Sequence, residues 1–544
     1  MMLDLNTVVP YLLVAMQVLM TFVCIVFFIS GLDDLFIDVY FWVRSFYRKF
    51  FVMPNYQPLT EQQVVDKPEQ YIAIMLPAWD ESAVIGQMLR NTTQSINYTK
   101  YHIFVGVYPN DPKTRDEVEK VMADHDNVHI CLCGDDGPTN KADCLNWICN
   151  GIKKFEKKNR IKFACFIMQD CEDVIHPLCY KLFNYLFPKA DMVQLPVLSL
   201  NRKWYEFTGG HYLDEFAQLH FKDLPVRESI TKSIPAAGVG VAFSRKALST
   251  VAKQNNNQIF STHSLTEDYD FGFKLREYGL KQMFVRLFVD RTVTKKSFLT
   301  GKKKQVKVKE LVCIKEFFPN TFWTSARQKS RWVLGIALQG WEHLGWSGPL
   351  SIKYILYRDR KALLTNLINL LGYFVVIVVT GVWLTIQIDP DAYRYPPLVE
   401  DGSFLWYLII INAGFLFLRI FHRGYCVKQL HGWQQAFLSL PRMVWGNVIN
   451  FFATTRALSQ YLTYLRTRQS IAWDKTDHVY PDEEALNVFK PKLGELLIGK
   501  GIISSSQLDK ALALQQKHPR LLGEILAEMG LVKRDQLDMV IENA

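Results

Sequence analysis

The sequence predicts a doubly wound α/β domain carried on transmembrane helices, with a small all-α domain at the C-terminal end. Three observations lead there. Short, nearly continuous apolar runs at Tyr71–Leu76, Tyr101–Tyr108 and Phe163–Met168 alternate with helix-like stretches such as Ala83–Ile96 and Asp143–Phe155. Buried strands alternating with helices imply a mostly parallel sheet covered on both faces. Longer apolar stretches near the N-terminus and beyond residue 360 have about the 20 residues that a bilayer demands. Finally, Leu493-Gly494-Glu495 recurs as Leu522-Gly523-Glu524, each followed by a glycine at Gly501 and Gly530, so the tail is an internal repeat of two short helices around a turn.

Composition agrees with a mixed protein. Of 544 residues, 49% are hydrophobic and the mean hydropathy is +0.01, too apolar for an ordinary soluble multidomain protein and too polar for a pure transporter. The ten cysteines lack zinc-type spacing, Cys131 and Cys133 being one residue apart, so they are expected to be reduced and buried.

In chain order, Val8–Ser30 is the first expected span. It lacks a basic leader and a small-residue cleavage site, which makes it an anchor. Leu32–Phe51 interleaves aromatics with Arg44, Arg48 and Lys49, as an interfacial helix would. Ala362–Ile388 and Phe404–Phe421 are the next two spans. The loop between them carries Asp389, Asp391, Glu400 and Asp401 against Arg394, whereas 419–473 holds arginines and Lys428 but no acid. The positive-inside rule puts that loop outside and the basic stretch inside, so the N-terminus is outside and residues 31–361 are cytosolic. Ala436–Thr455 is apolar but holds Pro441, Arg442, Asn447 and Asn450, which suits an interfacial helix better than a fourth span. The expected divisions are 1–31 anchor, 32–70 interfacial helix and linker, 71–345 α/β domain, 362–421 two spans, 422–484 interfacial helices and 485–544 helical repeat.

Asp80-Glu81, Asn110-Asp111 and Asp170 each follow a predicted strand. Ligands of open α/β sheets bind outside the carboxyl ends of the strands, so the three clusters face one crevice. Asp170 and Glu172 are two apart, so both carboxylates can hold one hard cation, Mg2+ or Mn2+, whose remaining ligands come from water or phosphates; an acidic strand-end turn would look the same. Pro235–Gly240 reads as a glycine-relieved approach to a strand beside a ligand. Thr266-Glu267-Asp268 opens a helix, where acids can also be mere dipole partners. Gln328, Arg331 and Trp332 sit just ahead of the second apolar stretch. Lys302, Lys303, Lys304, Lys307 and Lys309 read as a solvated hairpin tip or as a patch for an anionic donor or lipid.

Taken together these residues resemble the processive family-2 glycosyltransferases, inverting membrane enzymes that include cellulose synthase. The resemblance covers about Tyr71 to Trp341. It rests on Pro77-Ala78-Trp79-Asp80-Glu81, Asn140-Lys141, Asp170-Cys171-Glu172, Thr266-Glu267-Asp268 and Gln328 with Arg331-Trp332, in that order. The resemblance implies a GT-A type domain that uses a nucleotide sugar, a UDP sugar by expectation. Asp80, Glu81 and Asp111 would recognise the nucleoside, Lys141 and Asp170 would lie by the phosphates, and Asp170 and Glu172 would hold the metal. Asp268, with Glu267 beside it, would take the acceptor proton, and Gln328, Arg331 and Trp332 would grip the diphosphate and acceptor sugar. Glu172 stands where Asp is commoner, and Asn110-Asp111-Pro112 replaces two adjacent aspartates.

The tail resembles the cyclic di-GMP-binding domain at the N-terminus of type II secretion and pilus ATPases. That likeness implies ligand contacts from Lys492, Leu493, Gly494, Leu497, Gly501, Leu508, Leu512 and Gln515 in the first copy, and from Leu522, Gly523 and Gly530 in the second. Lys492 and Leu521 stand at the arginine positions and Ala544 at the second glutamine. A family-2 enzyme with such a tail is similar to bacterial inner-membrane synthases activated by cyclic di-GMP. These export an exopolysaccharide with an outer-membrane partner and double as phage receptors; nucleic acid is not an expected partner. The other class left open is a membrane scaffold or receptor that keeps the fold without turnover.

Overall fold

The computed structural model describes residues 5–262, 265–296, 303–389, 396–468, 478–481, 486, 493–499, 501–517 and 520–537. The α/β domain holds β1 (Ile72–Pro77), β2 (Tyr101–Val107), β3 (Val128–Leu132), β4 (Cys165–Met168), β5 (Val174–Ile175), β6 (Met192–Gln194), β7 (Val197–Ser199), β8 (Val241–Ser244), β9 (Gln282–Phe284), β10 (Phe288–Lys296), β11 (Lys303–Leu311) and β12 (Ile314–Glu316). Seven strands form the main sheet in the order β3-β2-β1-β4-β8-β6-β9. β1, β2, β3 and β4 run parallel, and β1 is buried along nearly its whole length, with one helix layer on each face of the sheet. β8 is antiparallel to both β4 and β6 while the other four pairings are parallel, so the sheet is mostly parallel, as expected, with one reversed strand. Periodicity reports burial and not chain direction, so this reversal was invisible in the residues.

Among the described residues three helices are long and apolar enough to cross a membrane: Tyr11–Asn55, Leu350–Ile388 and Phe404–His431. The first α-helix runs unbroken over Leu5–Tyr47, across the expected division at residue 31. Glycine inside a helix costs only about 1 kcal/mol, and Gly31 lies so close to Phe415 that a Cβ there would be 2.2 Å from the ring. Close packing at small residues is what holds helices together in lipid. Beyond Gly31 the helix carries Asp33, whose Oδ2 lies 2.6 Å from Arg358 and 2.5 Å from Lys361, binding it to Leu350–Ile388.

The helix Trp433–Thr467 is not among the three apolar candidates. Its inner face docks on the α/β domain: Arg442, 2% exposed, reaches Asp214 at 2.8 Å, and Asn450 accepts from Lys329 at 2.8 Å. Its outer face exposes Phe437, Val444, Trp445 and Phe452. The expected region 422–484 also contains His478–Pro481, which does not stay with these helices. That segment returns to the α/β domain, where Tyr480 is buried in the main core together with Leu486. The ten cysteines are free and buried. Lys303, Lys304, Lys307 and Lys309 lie on β11, paired with β10, and Lys302 falls outside the described residues.

The tail is built of Leu493–Gly499, Ser505–Lys517 and Leu522–Glu528 around a core of its own that includes Leu497, Ile503, Ala511, Leu526 and Leu537.

Candidate active site

In the order β3-β2-β1-β4 the chain leaves β1 toward β2 on one side and returns as β4 on the other. The loops after β1 and β4 therefore part and leave a crevice between them. Trp79-Asp80-Glu81 follows β1. Asp80 has φ +54°, a left-handed conformation that Asp tolerates better than most residues. Its N–H donates to Asp111 Oδ2 at 2.6 Å, and the Glu81 N–H donates to Thr114 Oγ1 at 2.9 Å. Asp111 also caps the helix Pro112–Met122 by accepting the Thr114 N–H through Oδ1 at 3.3 Å. One Asp111 oxygen thus holds the Asp80 turn and the other caps the helix that follows.

Lys141 opens the helix Lys141–Asn159, capped by Asn140 through a 2.9 Å bond from the Asp143 N–H. Its ammonium lies 2.6 Å from Asp170 Oδ1 and donates to Oδ2 at 2.8 Å and to the Gly238 carbonyl at 3.3 Å. Burial disfavours the charge, but Asp170, Glu267 and Asp268 outweigh it and raise the Lys141 pKa. The Asp170 turn is tied by its own N–H to Asp173 Oδ2 at 3.0 Å.

Glu172 is 6% exposed. Burial, with Asp170 and Glu81 adding, pushes its carboxyl up to about 7. Its Oε1 meets His478 Nε2 at 3.2 Å, while Oε2 is buried with no partner among the described residues. His478 Nδ1 lies 3.0 Å from Glu81 Oε1. Burial opposes the charged ring, yet Glu172 and Glu81 hold its pKa up at about 9. Asp170 and Glu172 offer only hard oxygen donors, one of them an unsatisfied buried atom, and so they fit a hard divalent cation completed by water or phosphate oxygens. No group of three or more His, Cys, Asp or Glu is poised for a metal among the described residues.

Asp268 lies in the first turn of the helix Glu267–Glu277, its Oδ1 accepting the Tyr269 N–H at 2.8 Å. Gly238 has φ +75°, and a Cβ on it would stand 2.7 Å from Asp268 Oδ2 and 3.2 Å from Lys141 Nζ. Glycine is required there twice over, by conformation and by the close approach of both side chains. Burial pushes Asp268 up to about 6 against the pull of Lys141, and burial plus the Asp268 charge pushes Glu267 to about 8. Asp268 is therefore the more readily ionised of the two.

Gln328, Arg331 and Trp332 share the helix Phe322–Trp332. Lys329, 4% exposed, fixes that helix by bonding Glu215 at 2.6 Å, and Trp332 packs edge-on to Tyr212 with ring centroids 6.0 Å apart. The π-helical turn Val333–Gln339 then runs against the Asp268 turn: a Cβ at Gly335 would be 2.5 Å from Thr266, and Gln339 accepts the Leu265 N–H at 3.1 Å. None of Gln328, Arg331 and Trp332 is among the residues that line the acidic crevice. Its lining is Pro77, Ala78, Trp79, Glu81, Tyr108, Lys141, Cys144, Asp170, Cys171, Glu172 and His478.

Seven of those eleven residues were not expected as site residues, Trp79, Tyr108 and His478 among them. Trp79 and Tyr108 form an aromatic wall, edge to face at 5.2 Å, with the Tyr108 hydroxyl 2.7 Å from Thr139. Trp79 was inside a quoted motif and could have been named. His478 carried no local signal.

In the tail, the residues expected to touch a second messenger have structural occupations. Leu497 and Leu526 are 0% exposed, a Cβ on Gly494 would strike Leu508 at 2.5 Å, and Gly501 and Gly530 take φ +69° and +67°. Gln515 donates to the Arg520 carbonyl at 2.8 Å. Leu493, Leu522 and Leu512 are half-buried, and a Cβ on Gly523 would come into van der Waals contact with Leu493 and Leu537. Lys492, Ile541 and Ala544 lie outside the described residues.

The glycosyl transferase family group 2 profile matches residues 165–386, from β4 through the helix Leu350–Ile388. The chain is 40% identical over 528 residues to the bacteriophage adsorption protein B of Escherichia coli K12, covering 96% of this chain and 70% of that protein. The chain belongs to the family of bacteriophage adsorption protein B. The bacteriophage N4 adsorption protein B of Escherichia coli O157:H7 matches to the same extent. Within this family the chain carries a family-2 glycosyltransferase domain on a membrane-protein frame. Among solved structures, a mannosyltransferase from Pyrobaculum calidifontis in complex with GDP-Man and Mn2+ aligns over 81% of this chain and 99% of its own, at 12% identity and a TM-score of 0.42.

Proposed function

We propose that the protein is an inverting, processive glycosyltransferase that polymerises a hexose or N-acetylhexosamine from a nucleotide sugar on the cytosolic side of a bacterial inner membrane. The observation that carries this reading is the meeting of Asp268 Oδ2 and Lys141 Nζ at Gly238, with Asp170 on the same ammonium. One group in that trio can accept a proton, one is a cation beside the place for a diphosphate, and the third can take part in holding a metal.

The donor nucleotide lies along Trp79 and Tyr108 with Asp80 and Glu81 at its nucleoside end. Asp170 and Glu172 hold a divalent cation, which supplies charge neutralisation for the departing diphosphate. Lys141 then exchanges part of its bond with Asp170 for the phosphates. Asp268, more readily ionised than Glu267, removes the proton from the acceptor hydroxyl as that oxygen attacks the anomeric carbon, and the nucleoside diphosphate leaves from the opposite face. Gln328, Arg331 and Trp332 hold the acceptor and diphosphate, next to the helices that conduct the polymer outward.

The N-terminus is outside and the α/β domain and tail inside, by the distribution of arginine and lysine. The helix Trp433–Thr467 lies in the membrane interface on its exposed apolar face. The tail binds cyclic di-GMP and activates synthesis, and the whole acts with an outer-membrane export partner, in keeping with relatives named for phage adsorption. The competing reading, a scaffold without turnover, is disfavoured by the retention of Asp170, Asp268 and Arg331 in place.

The test is synthesis in vitro. Purified protein in detergent or vesicles is given radiolabelled nucleotide sugars with Mg2+ or Mn2+, with and without cyclic di-GMP, and products are sized. High-molecular-weight label that rises with cyclic di-GMP is expected. Label confined to a single transferred sugar would contradict processivity, and indifference to cyclic di-GMP would contradict the tail's role.

A further inference from the structure

The crevice contains one side chain that does not come from the α/β domain at all. His478 belongs to the segment that follows the helix Trp433–Thr467, yet it lies across the gap between the loops after β1 and β4. Nδ1 is 3.0 Å from Glu81 Oε1 and Nε2 is 3.2 Å from Glu172 Oε1, and its side chain is 19% exposed. Both ring nitrogens face carboxylates, so both donate and the ring is a cation. It lines the same crevice as Trp79, Lys141 and Asp170. Two residues on, Tyr480 is buried in the main core, which seats the segment.

Without this ring, Glu81 and Glu172 would confront each other and Asp170 with Lys141 as the neighbouring cation. Like charges in a buried site repel, so without the bridging ring the two carboxylates would turn apart and Glu172 would leave its place beside Asp170. A histidine that only fastened the chain would have no reason to bridge two motifs on opposite lips of the crevice.

We infer that His478 is a positioning residue of the donor site, holding Glu81 and Glu172 apart and in place for the cation and diphosphate of the donor. The inference rests on the nucleotide-donor reading above. It also makes the donor pocket composite, since part of it is delivered by the chain that leads to the tail.

The full-length chain tests it by calorimetry with UDP and with GDP, each in MnCl2, and by steady-state kinetics on whichever nucleotide sugar is turned over. His478→Ala is expected to weaken nucleotide binding and raise the donor KM by about tenfold or more, with kcat changed by less than about threefold, as removal of one partner from a buried charge pair implies. His478→Lys keeps a cation and is expected to recover binding to within about threefold of wild type, with His478→Gln between the two. Thermal unfolding run in parallel identifies any variant that fails to fold, and the lysine variant then carries the comparison. Unchanged or tighter nucleotide binding in folded His478→Ala would overturn the role. A loss of kcat with unaltered KM would overturn it too. Wild type that binds neither nucleotide would instead sink the donor reading, and this inference with it.

Discussion

The crevice and the C-terminal tail were both legible as short motifs, but their motif residues do opposite things. In the crevice, Glu81, Lys141, Asp170, Glu172 and His478 are ionisable groups within 3.3 Å of one another in chain-distant pairs. Packing cannot account for them, because burying charge is costly and a fold built for stability alone would use apolar residues. In the tail, Leu497, Leu526, Gly494, Gly501 and Gly530 are core and turn residues, fully explained by the need to close a small helical unit. A convergence of charge therefore points to a ligand, whereas a leucine-glycine motif points first to a fold.

The comparison can be broken most sharply at Asp268. Asp268→Asn is expected to lower turnover by about 100- to 10,000-fold, the range for a positioned general base, while UDP binding stays within about threefold. Near wild-type turnover would remove Asp268 from the role of base. In the tail, Leu497→Ala and Leu526→Ala are each expected to destabilise by about 2–5 kcal/mol, and by similar amounts, because the two occupy equivalent core positions. Hydrogen exchange confined to 493–537 would read this out, with UDP binding unaltered; donor affinity that falls in step would show that the two regions are not independent.

The pH dependence is smaller. Asp268 sits at about 6, above its ordinary value, so its ionised form is present above that pH and lost below it. The rate is expected to fall about tenfold per pH unit below 6, and a profile flat to pH 5 would contradict the base assignment. The smallest effect concerns turns. Gly501→Ala and Gly530→Ala force left-handed backbone on a residue with a Cβ, at about 1–2 kcal/mol each, measurable as a lower unfolding midpoint of the tail alone.

Much of the fold could be read in advance because it is local. The runs that became β1, β2 and β4 announce burial through their own composition, and Asp80, Lys141, Asp170 and Asp268 announce chemistry by sitting at strand ends and helix starts. What was not legible depends on distant partners. The first helix continues past Gly31 because Phe415, far along the chain, packs on that glycine. The reversal of β8 depends on where the chain re-enters the sheet. His478 is a single polar residue whose meaning arises only when its segment folds back over Glu81 and Glu172. Asp111 shows the converse, a residue correctly placed near the site whose oxygens are committed to backbone N–H groups.

The central claim is that this cluster of charge is the donor site of a working transferase. Its most direct test is release of nucleoside diphosphate by the purified wild-type chain from a panel of UDP-, GDP- and dTDP-sugars, in Mg2+ or Mn2+ at pH 7.5 with cyclic di-GMP present. Release from one sugar class, abolished by chelation of the metal, is the predicted result. Absence of release from every donor, by protein shown to be folded, would contradict the claim and leave the crevice as the relic of a scaffold.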